Sequence, residues 1–231
     1  MKKIILLSCA LMFGHANASN GVFAINDICD AFGCFPGDSS GFPITITEPG
    51  SYQLTSNIVS SSTTTDVIQI NADNVTLDLN GFSIIGPRTC TGDNTTLVCT
   101  NNGMTAHGVS AVSRKNVKVK NGTVKGFDTG ISLTSSSSRG NVAENIHSSE
   151  NEFGFSVING MVSNCVANRN LDTGISNGLF SRLFVKDSYA VGNRNFSIIA
   201  ITCSNVYLSN NGADNCLNYT NGSTCGSSLC P

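Results

Sequence analysis

The chain has 231 residues, 12% of them charged, and a formal net charge of −2. So weak and slightly acidic a charge offers no basic face for a phosphate backbone, which argues against a nucleic-acid partner. Val, Ile and Leu nevertheless recur in register along the chain, which excludes the low-hydrophobicity composition of disordered proteins.

Residues 1–18 read as a secretory leader. Lys2 and Lys3 form a basic start, Ile4 to Phe13 an apolar run, and Ala16-Asn17-Ala18 a small-residue cleavage site. That run is too short to span a bilayer, and no later stretch reaches the ~20 apolar residues needed. The expected mature chain starts at Ser19 and is secreted, periplasmic or surface-bound. It keeps nine of the ten cysteines, a content that suits an oxidising compartment.

Residues 19–42 are expected to form an N-terminal cap. Phe23, Ile25, Ile28 and Phe32 supply its apolar side, and Cys29 and Cys34 are close enough to pair. From 43 to 215 the pattern is repetitive. Asn74-Val75-Thr76-Leu77-Asp78-Leu79-Asn80-Gly81-Phe82 aligns without a gap with Asn116-Val117-Lys118-Val119-Lys120-Asn121-Gly122-Thr123-Val124. The alternation points successive side chains to opposite faces of a strand and excludes a helix. It places Thr76 and Asp78 beside Lys118 and Lys120 on an outer face, where Asp78 and Lys120 can pair. An insertion over 88–106, Gly- and Asn-rich, interrupts the repeat, and its Cys90 and Cys99 are expected to form a disulfide.

Beyond it a phrase returns at Gly108-Val109-Ser110, Gly130-Ile131-Ser132, Gly154-Phe155-Ser156, Gly174-Ile175-Ser176 and Ser197-Ile198-Ile199, at intervals of 22, 24, 20 and 23 residues. A period of this length marks a solenoid, whose units bury their apolar faces only by stacking. Asn151, Asn170 and Asn193 each precede a start by a few residues and predict an internal amide ladder. Residues 216–231 are expected to form a C-terminal cap, with Cys225–Cys230 the favoured bond. Cys203 and Cys216 are unassigned, and Cys165 is the candidate free thiol. No C-x-x-C pair or His at a zinc spacing occurs, so disulfides are expected rather than a metal.

Ser51-Tyr52-Gln53-Leu54-Thr55-Ser56-Asn57, together with the two aligned segments at Asn74 and Asn116, resembles secreted bacterial right-handed parallel β-helix repeat proteins of the pectin-lyase-like superfamily. The resemblance covers about Phe42 to Asn215. It implies an all-β fold, a single-stranded right-handed parallel β-helix of six or seven coils capped at both ends. It implies little about function, because the simple members of the group have no assigned activity.

The superfamily's enzymes supply a test of chemistry. Lyase-like members hold calcium on clustered aspartates, a geometry that needs several oxygens converging. Here the acids are scattered, and Glu150 and Glu152 are the one close pair among them. Polygalacturonase-like members carry an adjacent Asp-Asp and a Gly-His-Gly. This chain has no Asp-Asp, and its nearest histidine motif is Ala106-His107-Gly108, read as the end of the disulfide loop. No catalytic residue, metal or cofactor is therefore expected. The one charge cluster is Arg114, Lys115, Lys118, Lys120 and Lys125. It reads either as a solvated outer face or as a patch for an acidic polysaccharide. The expected function is non-catalytic binding or surface structure, with carbohydrate as ligand class. A lyase or glycoside hydrolase with a rearranged site, or a bare scaffold, are the alternatives. Carboxylates converging from different coils would separate the enzyme from the binder.

Overall fold

The structure is a computed structural model that describes residues 21–92, 96–177, 182–209, 211–220, 224–225 and 228–229. The leader expected over 1–18 and the bond expected between Cys225 and Cys230 lie outside these residues. Among the described residues, apart from one helical turn at Cys29–Phe32 and a 3-10 position at Thr96, the regular elements are strands, and nearly all pairings are parallel.

The strands fall into three ladders that the chain visits in rotation. One runs through Gly50–Leu54, Val75–Asp78, the start of Lys118–Lys125, the start of Asn141–Ser149, Gly160–Ser163 and Leu183–Lys186. The second takes Ile58–Val59, Ser83–Ile85, the ends of Lys118–Lys125 and Asn141–Ser149, then Val166–Asn168, Tyr189–Val191 and Tyr207–Ser209. The third contains Ile44–Ile46, Ile68–Ile70, His107–Ser110, Thr129–Leu133, Phe153–Val157 and Thr173–Ser176. Long all-parallel ladders joined in this order are those of a parallel β-helix or related solenoid.

Each ladder buries one column of side chains. In the third, Ile44, Ile68, Val109, Ile131, Phe155, Ile175 and Ile198 stand in register and are fully buried. Tyr52, Leu77, Val119, Ala143, Val162 and Val185 do the same in the first. Apolar burial of this kind contributes about 1.5–3 kcal/mol for each large side chain. The small residue of the repeated phrase has a steric cause. A Cβ on Gly130 would drive into the carbonyl oxygen of Gly154, and one on Gly154 into that of Gly174.

The corners are made by residues in the left-handed region. Between the first and second ladders stand Asn121, Asn145, Asn164, Asp187 and Asn205, with φ between 47° and 61°. One such residue bends the chain without breaking its pairing, and short polar side chains tolerate that conformation best. This accounts for the Asn-rich turns.

Inside the corner that leads from the second ladder to the third lies the amide ladder expected at Asn151, Asn170 and Asn193. The backbone amides of Phe127, Asn151, Asn170 and Asn193 donate to Oδ1 of Asn151, Asn170, Asn193 and Asn211, at 2.9, 3.2, 3.1 and 3.0 Å. Each Nδ2 donates onward in turn: Asn170 to Asn193 Oδ1 at 2.9 Å and to Ser148 O at 3.3 Å, for instance. Asn211 is a further rung that the repeat had not indicated.

Two of the three expected disulfides lie within the described residues, and both are formed. Cys29 pairs with Cys34 and Cys90 with Cys99. Cys203 is also disulfide-bonded, while Cys165 is free and buried, its thiol pushed up to about 12 chiefly by burial. Among the described residues no helix is long and apolar enough to cross a membrane.

Replacing Asn170 with Ala removes the acceptor shared by the Asn151 amide and Asn151 Nδ2, and the donor to Ser148 O, while the backbone amide at 170 still serves Asn193 Oδ1. Unpaired buried groups cost about 1–3 kcal/mol each, so the variant should lose roughly 2–4 kcal/mol of stability in urea denaturation.

Candidate functional site

The basic residues do not gather into one patch. Lys118 and Lys120 share the outer face of the first ladder, where Lys118 pairs with Glu144 and Lys120 with Asp78 at 3.2 Å. The register there is the one read from sequence, Lys118 beside Thr76 and Lys120 beside Asp78. Lys115 and Arg114 lie on the preceding turn, where the Lys115 amide donates to Asp73 at 2.9 Å and the Arg114 Nε is buried. Lys125 belongs to the second ladder, beside Ser149; burial, and after it the Lys125 charge, lowers the pKa of His147.

The structure assembles a different set. Asp128, Glu152 and Asp172 each stand directly before a strand of the third ladder, so stacking sets them one above another at intervals of ~4.8 Å. Thr129, Phe153 and Thr173 follow them in register. At the near end of this row His107 heads its own strand. Its backbone amide and Nδ1 both meet Asp66 Oδ1 at 2.9 Å, and its Nε2 faces Asp128 Oδ2 at 3.9 Å. Arg88 comes from the root of the insertion, fully buried, and sets Nη2 3.0 Å from Glu152 Oε2. Its Nε and Nη1 have no hydrogen-bond partner. The side chains of Asp66, His107, Asp128 and Glu152 remain 18–31% exposed, so the row is open to solute.

The disulfide-pinched insertion borders this row. Cys90 and Cys99 close a short antiparallel pair, Leu171 packs against them, and Arg169 Nη2 donates to the Cys90 carbonyl at 3.0 Å.

The electrostatics follow from the contacts. Burial alone would raise Asp66, but its hydrogen bonds with His107 outweigh that and hold its pKa low. Burial would lower His107, yet the hydrogen bond and charge of Asp66, with Asp128 behind, raise it. Asp128 is raised, first by burial and then by the Glu152 charge, against the opposing pull of Thr129, His107 and Arg88. With Nδ1 engaged by Asp66, the His107 Nε2 lies 3.9 Å from Asp128 Oδ2, within ion-pair range but beyond hydrogen-bond reach. The row can accept hydrogen bonds at several points and donate from His107 Nε2 at its near end. Among the described residues no cluster of His, Cys, Asp or Glu is arranged to hold a metal ion.

The sequence held a signal for this row that a reading from the glycines passes over. Asp-Thr-Gly-Ile-Ser occurs at 128–132 and again at 172–176, and Glu152-Phe153-Gly154 has the same phase. Starting the phrase at Gly cuts off the acid two positions ahead. His107 and Asp66 are 41 residues apart, so no local motif joins them.

Comparison with known proteins found no matching family model, no matching curated protein and no matching solved structure.

Because the folded state favours His107 protonation, its bridge between Asp66 and Asp128 contributes fully below about pH 6.5. The contribution is lost as pH rises through the higher folded pKa. From pH 6.5 to 8 the protein should lose up to ~1 kcal/mol that His107→Gln does not lose, read from urea midpoints at each pH.

Proposed function

We propose that this protein is a secreted, right-handed parallel β-helix of the pectin-lyase-like type, six or seven coils long and capped at both ends, that binds an extracellular polysaccharide without cleaving it. The observation that carries the binding reading is the partly exposed row Asp128, Glu152 and Asp172, alternating with Thr129, Phe153 and Thr173. Carboxylates accept hydrogen bonds from sugar hydroxyls, and the ring of Phe153 offers a face to the C–H side of a pyranose. A glycan running along the stack would meet one carboxylate at each coil and the half-buried Phe153 at one of them, Thr129 and Thr173 being buried beneath. Lys118 and Lys120 already pair with Glu144 and Asp78, so the main contacts are assigned to the third ladder.

A glycoside hydrolase is the second reading. It is favoured by one observation, the raised pKa of Asp128 beside the Glu152 carboxylate, since hydrolysis needs a protonated acid near an ionised one. Against it, Glu152 is engaged by Arg88, and Asp66 by His107.

The test is binding of the oxidised protein to a polysaccharide array, with reducing ends measured on every ligand found. Binding without new reducing ends is expected. Asp128→Asn combined with Glu152→Gln should weaken it about tenfold, near 1.4 kcal/mol. Release of reducing ends that this double variant abolishes would replace the binder by the hydrolase. Silence across the array would remove both.

A further inference from the structure

A recess lies on another edge of the molecule, at the turn from the third ladder to the first. It encloses about 860 Å³ and is lined by Arg139, Asn159, Arg182, Phe184 and Thr202, among others. A volume of this size suits a small ligand or a few units of a chain. Stacking positions the two arginines. Gly140 donates its amide to Asn159 O, and Gly160 to Arg182 O, both at 3.2 Å, so Arg139, Asn159 and Arg182 rise on successive turns. Asn159 Oδ1 also accepts from the Arg182 amide at 3.2 Å, fixing the backbone that carries that guanidinium.

Three features give the recess its chemistry. Arg139 and Arg182 are exposed, and neither makes an ion pair among the described residues. The segments that build it are free of acids: no Asp or Glu occurs over 129–143, 153–171, 173–186 or 188–213. One side of the recess is apolar, because Phe184 on the outer face of the first ladder lines it. Two unneutralised guanidiniums attract an oxyanion and can bind it through paired N–H donors. A half-buried phenyl beside them suits a ring with an apolar face.

We infer that this recess binds a sulfate- or carboxylate-bearing saccharide, its oxyanion held between Arg139 and Arg182 and its ring against Phe184. The saccharide part rests on the function proposed above, whereas the anion site stands independently of the third-ladder row.

The experiment is titration calorimetry of the full oxidised chain with a sulfated glycosaminoglycan hexasaccharide, its desulfated, uronate-retaining counterpart, a neutral hexasaccharide and inorganic sulfate. Both charged hexasaccharides should bind and the neutral one should not, and inorganic sulfate should compete. Binding should weaken at least tenfold in Arg139→Gln/Arg182→Gln and fall with added salt. Lys118→Gln/Lys120→Gln should stay within about twofold of wild type. Phe184→Ala should weaken the hexasaccharides but leave inorganic sulfate unchanged. Wild-type affinity in the double arginine variant, equal binding of the neutral chain, or no binding of any anion would overturn the inference. If the arginines matter while Asp128→Asn/Glu152→Gln has no effect on any glycan, the third-ladder reading fails and this one stands. The reverse pattern removes this one alone.

Discussion

The internal asparagine ladder is the constraint on which the rest of this structure depends. At the corner between the second and third ladders the backbone turns inward, and its amides would otherwise be buried without partners. Oδ1 of each asparagine satisfies the amide one coil below, and Nδ2 reaches a carbonyl and the next Oδ1. A shift of one residue in any coil would break several of these bonds at once. The ladder thus reinforces at the corner the register that the buried apolar columns specify along the strands, where a one-residue slip would turn each column outward.

Register then determines what the surface can do. Asp128 and Glu152 stand two or fewer positions from the ladder residues, so the corner sets the height of each carboxylate. The two ends of the insertion bring His107 to Asp66 and Arg88 to Glu152. On the opposite turn the same register stacks Arg139 and Arg182 without any acid between them. Acids and free cations therefore occupy separate edges. The acids are partly compensated by His107 and Arg88, while Arg139 and Arg182 make no ion pair among the described residues.

Much of the scaffold was legible in the chain because a solenoid writes its geometry as a local period. The match of Asn74–Asp78 with Asn116–Lys120 predicts the pairing of Asp78 with Lys120, and the structure has it. The gapless continuation to Phe82 and Val124 does not hold: the turn at Asn80-Gly81 adds two residues, and Val124 pairs with Ile84. Asn151, Asn170 and Asn193 declare themselves by their phase, as do Cys29–Cys34 and Cys90–Cys99 by proximity. The candidate sites were harder to see. A cluster of lysines can be counted, but its neutralisation by Glu144, one coil on, appears only when coils are stacked. Arg139 and Arg182 lie 43 residues apart, with nothing in either local sequence to connect them. His107 looked like a loop end because its partner Asp66 precedes the whole insertion. Contacts along a coil follow from the period; contacts across an irregular insertion do not.

The central claim is that buried side-chain amides hold the coils in register. Residue-resolved hydrogen exchange tests it most directly, because it reads each bonded amide separately. The account predicts that the amides of Phe127, Asn151, Asn170 and Asn193 exchange as slowly as those of Ile131 and Phe155 in the core strands. Exchange at the rate of exposed turns at these four positions would contradict it.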